Sequence, residues 1–128
     1  MLTPPGGYLS TFSQLYHHMI YTKAKTVAEV YDAFSAACFI CLSCDEIEIT
    51  EFSNFMIHSI SFGAEGKSGE VVAQSSHVDK LTKKLISTVC HTFLTNDEIS
   101  KVVDGKDFWF TSEEIKRKLK NWVPIRKR

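Results

Sequence analysis

Thr26–Cys44 reads TVAEVYDAFSAACFICLSC, and the fold turns on how this stretch is read. Val27, Val30, Tyr31, Phe34, Ala37, Cys38 and Cys41 follow one another at steps of three and four, the spacing that lines up one face of a helix. Thr26 and Glu29 stand three apart, as in a capping box, where a hydroxyl and a carboxylate satisfy free N–H groups at a helix start. The twelve residues from Ala33 to Cys44 carry no charge. A helix apolar on every side is buried on every side, so the pattern predicts a central helix with Val30, Phe34, Cys38 and Cys41 in the core. Twelve residues fall short of the roughly 20 that cross a bilayer.

Upstream, Leu9, Phe12, Leu15, Tyr16, Met19 and Ile20 give Tyr8–Tyr21 an amphipathic helical period. Met1–Gly7, with Pro4, Pro5, Gly6 and Gly7, is expected to be a flexible lead-in. It lacks the basic start and unbroken apolar core of an export signal, so reduced thiols and a cytoplasmic location are expected.

Downstream, Asp45–Glu51 reads DEIEITE, either a short strand or an acidic connection. Thr50 has the chemistry to cap a third helix carrying Phe52, Phe55, Met56 and Ile60, with Gly63 as its stop. Residues 63–75 form an expected glycine-containing loop. Ser76 and Asp79 mark the expected start of a fourth helix through Val78, Leu81, Leu85, Val89 and Phe93. Thr95 with Glu98, and Thr111 with Glu114, open two further helices through capping boxes. Phe110 and Ile115 stand at hydrophobic-staple spacing around the second. Pro124 ends the last helix and residues 124–128 form a basic tail. The fold class expected is therefore mainly α: one domain over residues 1–128, a bundle of five to six helices with at most a minor short β element.

Net charge is zero but unevenly placed. Residues 1–64 hold two bases and six acids, a net of −4; residues 65–128 hold 13 bases and nine acids, a net of +4. Lys116–Arg128 contains seven bases and no acid, beside the aromatic run Phe108-Trp109-Phe110.

Cys38, Cys41 and Cys44 repeat at the spacing of metal-binding thiolate pairs. On a straight helix, however, the outer two stand about 9 Å apart along the axis, too far to share one ion. No metal or other cofactor is expected. His17, His18, His58, His77 and His91 fall in no H-E-x-x-H frame, the chain has no G-x-S-x-G, and it has no phosphate-binding glycine loop. On these motifs no serine nucleophile stands out and the chain reads as a non-enzyme.

The resulting expectation is a small protein-binding module, an inhibitor of the immunity-protein or antitoxin type that occludes a partner protein. Its candidate contact residues are Phe108, Trp109, Lys116, Arg117, Lys120, Asp45, Glu46 and Glu48, because an exposed Trp beside charges is typical of binding hot spots. Two alternatives are nucleic-acid binding through the basic C-terminal helix and tail, and metal or cysteine chemistry at Cys38, Cys41 and Cys44.

Overall fold

The computed structural model describes residues 8–59 and 64–128. The lead-in 1–7, and the expected helix positions Ile60 and Gly63, lie outside the described residues. The elements are α1 (Tyr8–Tyr21), β1 (Val27–Phe34), α2 (Ala36–Leu42), β2 (Glu46–Ile57), α3 (Ser68–Cys90), α4 (Asn96–Val103), β3 (Phe108–Phe110) and α5 (Ser112–Leu119), with a 3-10 turn at Ile125–Lys127. The strands form one sheet in the order β1-β2-β3, with β1 parallel and β3 antiparallel to β2.

The all-helical expectation is overturned. Thr26–Cys44 is not one helix but a strand, a sharp turn at Ser35 and a short helix. Phe34, expected in the core, is 43% exposed, while Val30 is 2% and Cys38 0% exposed; Cys41 is half-buried. The helical period arose because Tyr31 and Phe34 were counted as core, whereas both lie on the outer face of β1. Val27, Val30, Tyr31 and Phe34 are also β-branched or aromatic residues that suit a pleated surface. Thr26 caps no helix. Its N–H donates to Asp45 Oδ2 at 2.9 Å and its Oγ1 accepts from Asp45 N–H at 2.9 Å, tying the entry of β1 to that of β2.

The expected Thr50-capped helix is likewise strand. Val30 pairs with Ile49 and Asp32 with Asn54, so four β2 residues, Thr50–Ser53, stand against Tyr31 alone. Ser53 closes this bulge from inside: it is buried, accepts the Thr50 N–H at 2.7 Å and donates to the Val30 carbonyl. A bulge of this kind re-aims side chains, and Phe52 at its tip is 84% exposed. Beyond the bulge Phe55 and Ile57 turn fully inward.

One face of the sheet, carrying Val30, Ala33, Phe55, Ile57 and Phe110, packs against Phe12 of α1, Cys38, Phe39 and Leu42 of α2, Ile86, Val89 and Cys90 of α3, Val102 of α4 and Ile115 of α5. This is a two-layer α/β arrangement with a single core. Phe93 sits between Phe55 and Phe110, at centroid distances of 5.7 and 5.6 Å. α3 starts at Ser68, eight residues before the expected cap at Ser76. α4 and α5 begin at the expected boxes: Thr95 accepts from Glu98 N–H at 3.1 Å and Thr111 from Glu114 N–H at 3.3 Å. Each box satisfies donors that the first helical turn leaves free. Among the described residues no helix is long and apolar enough to cross a membrane.

Candidate active site

Ser35 joins β1 to α2 with φ 57° and ψ −120°, and it is the one non-glycine residue with positive φ among the described residues. A helix-capping serine ordinarily has extended φ/ψ and turns its hydroxyl back onto the helix N–H groups. Ser35 does neither: its backbone is strained and its side chain makes no cap hydrogen bond. The strain is held in place from both sides. Ser35 N–H donates to the Met56 carbonyl at 2.8 Å, continuing the β1–β2 ladder, and its own carbonyl accepts from Phe39 N–H at 3.2 Å, the first turn of α2. Buried Ala33 and Ala36 and half-buried Ala37 let strand and helix approach closely around the turn. A strained serine that caps no helix N–H, on a tight strand-to-helix turn, has the geometry of a nucleophile elbow.

The sheet register brings two further groups to the same end. Phe34 pairs with Met56, so Ser35 is level with Ile57, and His58 follows directly. Ile57 pairs with Phe108 in the antiparallel ladder, so the next rung sets His58 opposite Asp107. Serine, histidine and aspartate thus leave three neighbouring strands at one end of the sheet, with the histidine in the middle. His58 and Ser35 are half-buried and Asp107 is exposed. The His58 Nδ1 meets the Ser59 carbonyl. A proton on Nδ1 leaves Nε2 as the basic nitrogen.

The cysteines do not provide an alternative nucleophile. Cys38 and Cys90 are fully buried and burial pushes both thiols up, while burial takes Cys41 up to about 12. Cys44, just past the end of α2, donates weakly to the Ile40 carbonyl and is also raised by burial. Such thiols stay protonated near neutrality, and the thiolate is the reactive form. Among the described residues no group of three or more His, Cys, Asp and Glu side chains converges to hold a metal.

The eight expected contact residues do not form one patch. Glu46, Glu48 and Trp109 share the outer face of the sheet, with Trp109 62% exposed. Phe108 is half-buried and stacks on Phe110 at 6.0 Å between centroids. Lys116, Arg117 and Lys120 are exposed on or just after α5, which covers the opposite face of the sheet. Asp45 is taken up internally. Arg126 donates to its two carboxylate oxygens at 3.0 and 2.7 Å, holding the carboxyl below its usual range together with the Thr26 N–H. Arg126 also donates to the carbonyls of Met19 (3.1 Å), Thr22 and Ala24 (2.8 Å), so the expected basic tail is tied down at this residue.

Sequence motifs missed Ser35 and His58 because the elbow is built with alanines. Ala33-Phe34-Ser35-Ala36-Ala37 has small residues where the G-x-S-x-G pattern has glycines. The available signal was a lone serine between small residues after a β-branched run, followed by an FMI strand that ends in histidine.

Fold and site together define an α/β protein that presents a serine on a strand-to-helix elbow beside a histidine. Comparison with protein-family models gives the particular family: residues 1–118 match the Clp protease family, described as Clp protease, and the chain belongs to it. No curated protein matches the chain. The family replaces the expectation of a non-enzymatic inhibitor of the immunity-protein or antitoxin type.

Proposed function

We propose that this chain is a serine peptidase in which Ser35 is the nucleophile, His58 the general base and Asp107 the carboxylate that steadies the imidazolium. The observation that carries the reading is the strained elbow at Ser35, whose hydroxyl makes no helix-cap bond, with His58 on the adjoining strand end. His58 Nε2 takes the hydroxyl proton as Ser35 Oγ attacks the peptide carbonyl. The same proton is then delivered to the leaving amine, and water releases the acyl group by the reverse sequence. The N–H of Ala36, directly after the nucleophile at the start of α2, is the backbone donor placed for the developing oxyanion. Asp107, on the next rung of the β2–β3 pair, is the carboxylate assigned to steady the imidazolium that forms during the step.

Proteins are the partners that this chemistry implies, as substrates and, as for other Clp proteases, as further copies in an assembly. Cleavage of an unfolded, fluorescently labelled protein tests the reading. Ser35→Ala should lower the turnover rate by about 10⁴-fold or more while leaving the circular dichroism spectrum unchanged. Cleavage by Ser35→Ala at the wild-type rate would remove Ser35 from the chemistry.

A further inference from the structure

A cavity of about 440 Å³ lies where the parallel strands begin, at the other end of the sheet from Ser35, and is lined by Lys23, Lys25, Asp45, Glu46, Arg126 and Lys127. All six residues are charged, four bases against two acids. Both acids are already answered. Arg126 and the Thr26 N–H hold Asp45, and Lys25 pairs with Glu46 at 2.6 Å on the surface. Lys23 and Lys127 are exposed and form no ion pair among the described residues. The cavity therefore carries an excess of two positive charges.

Arg126 is the reason these bases meet. Its guanidinium commits its N–H groups to the Asp45 carboxylate and to the carbonyls of Met19, Thr22 and Ala24, so it is the scaffold of the cavity and not a binding group. That clamp pins the α1–β1 connection, which carries Lys23 and Lys25, against the 3-10 turn, which carries Lys127. Like charges gathered in one concave site repel one another and draw in a counter-ion. The walls also define the counter-ion. No aromatic or apolar side chain lines the cavity, so nothing there stacks on a nucleobase or covers a sugar ring. A lysine ammonium is a compact point charge that holds phosphate without a fixed planar geometry.

We propose that this cavity binds a small multivalent phosphate anion, of the pyrophosphate or short polyphosphate class, between Lys23 and Lys127, with Lys25 turning from Glu46 to join them. The bound anion bridges the α1–β1 connection to the 3-10 turn beside the Arg126 clamp. It binds the folded chain and not the unfolded one, in which the lysines are dispersed, so it stabilises the fold by mass action. The site lies away from Ser35 and stands or falls separately from the role of that serine.

Isothermal titration calorimetry and thermal unfolding of the full chain, with tripolyphosphate as the probe, provide the test. The wild type should bind one tripolyphosphate per chain, more weakly as sodium chloride is raised, and its unfolding midpoint should climb with ligand concentration. Lys23→Gln/Lys127→Gln should bind about tenfold more weakly or worse. Without the anion it should unfold no earlier than the wild type, because it loses a repulsion and no ion pair. Lys116→Gln/Lys120→Gln, which removes two exposed bases of the α5 region instead, should bind like the wild type. Adenosine triphosphate should bind no tighter than tripolyphosphate. A wild type that does not bind tripolyphosphate overturns the proposal. So does equal weakening in the two double variants, the result of a diffuse response to positive charge. Markedly tighter binding of adenosine triphosphate would show that the base is recognised and would likewise overturn it.

Discussion

The two ends of the three-stranded sheet are built on opposite principles. At the end where the parallel strands begin, Thr26, Asp45 and Arg126 are committed to one another and to the backbone. Thr26 and Asp45 exchange backbone-to-side-chain hydrogen bonds, and the Thr26 carbonyl accepts from both Asp45 N–H (3.0 Å) and Glu46 N–H (3.1 Å). The Arg126 guanidinium joins the Asp45 carboxylate to the Met19 carbonyl in the last turn of α1 and to the Thr22 and Ala24 carbonyls of the α1–β1 connection. At the other end the Ser35 hydroxyl caps nothing, its backbone is held at positive φ, and the Asp107 carboxylate is exposed. One end closes the fold; the other holds a strained serine and an exposed carboxylate on a rigid support, which is where a functional site is expected to collect.

If that division is real, changes at the two ends should have separable consequences. The largest effect belongs to the open end: Ser35→Ala removes cleavage and leaves the unfolding midpoint near that of the wild type. Arg126→Ala at the tied end should do the reverse, lowering the thermal midpoint while the isolated site retains its chemistry. Its pH dependence has a definite sign. The bonds from Arg126 and from Thr26 N–H lower the Asp45 carboxyl in the folded state. Its stabilisation is therefore complete above the unfolded aspartate value of about 3.9, and is lost as pH falls through the lower folded value. For Glu98, burial pushes upward, but bonds to Lys118 (2.6 Å) and Thr95 N–H outweigh it and leave a net lowering, so it titrates in the same acid window. Denaturation followed from pH 7 to pH 2 should show wild-type stability falling below about pH 4, with a shallower fall in Arg126→Ala. Equal slopes for the two proteins would show that the clamp contributes no linkage.

The smallest effect sharpens the comparison most. Ser35 occupies a conformation that glycine adopts without strain and makes no side-chain cap bond that would be lost. Ser35→Gly should therefore raise stability by about 1 kcal/mol in denaturant titration while removing cleavage. A destabilised Ser35→Gly protein would mean that the serine side chain supports the turn and that the elbow holds no relievable strain.

The sequence made some of this legible and hid the rest for a physical reason. The starts of α1, α4 and α5 were readable because caps and amphipathic periods are local signals, and Thr95–Glu98 and Thr111–Glu114 form the boxes that their spacing implies. β1 was misread because Tyr31 and Phe34 are apolar yet outward-facing, so a strand with an apolar outer face imitated the three-and-four step of a helix. The four-residue bulge broke the alternation of β2 and made Phe52, Phe55 and Met56 look helical for the same reason. The proposed site stayed hidden because Ser35, His58 and Asp107 are 23 and 49 residues apart in successive steps along the chain and come to one end of the sheet through strand register alone. Trp109, by contrast, was recognisable as an exposed aromatic, and the structure places it on the outer face beside Met56 and Phe34.

The central claim is that Ser35 is a nucleophile made reactive by its place on the elbow beside His58. The most direct measurement is covalent labelling of the folded protein with a fluorophosphonate, followed by peptide mass spectrometry to locate the adduct. The account predicts one phosphonyl group per chain, on Ser35, absent in Ser35→Ala and strongly reduced in His58→Ala. No adduct on the folded wild type, or an adduct on another serine that persists in Ser35→Ala, would contradict it.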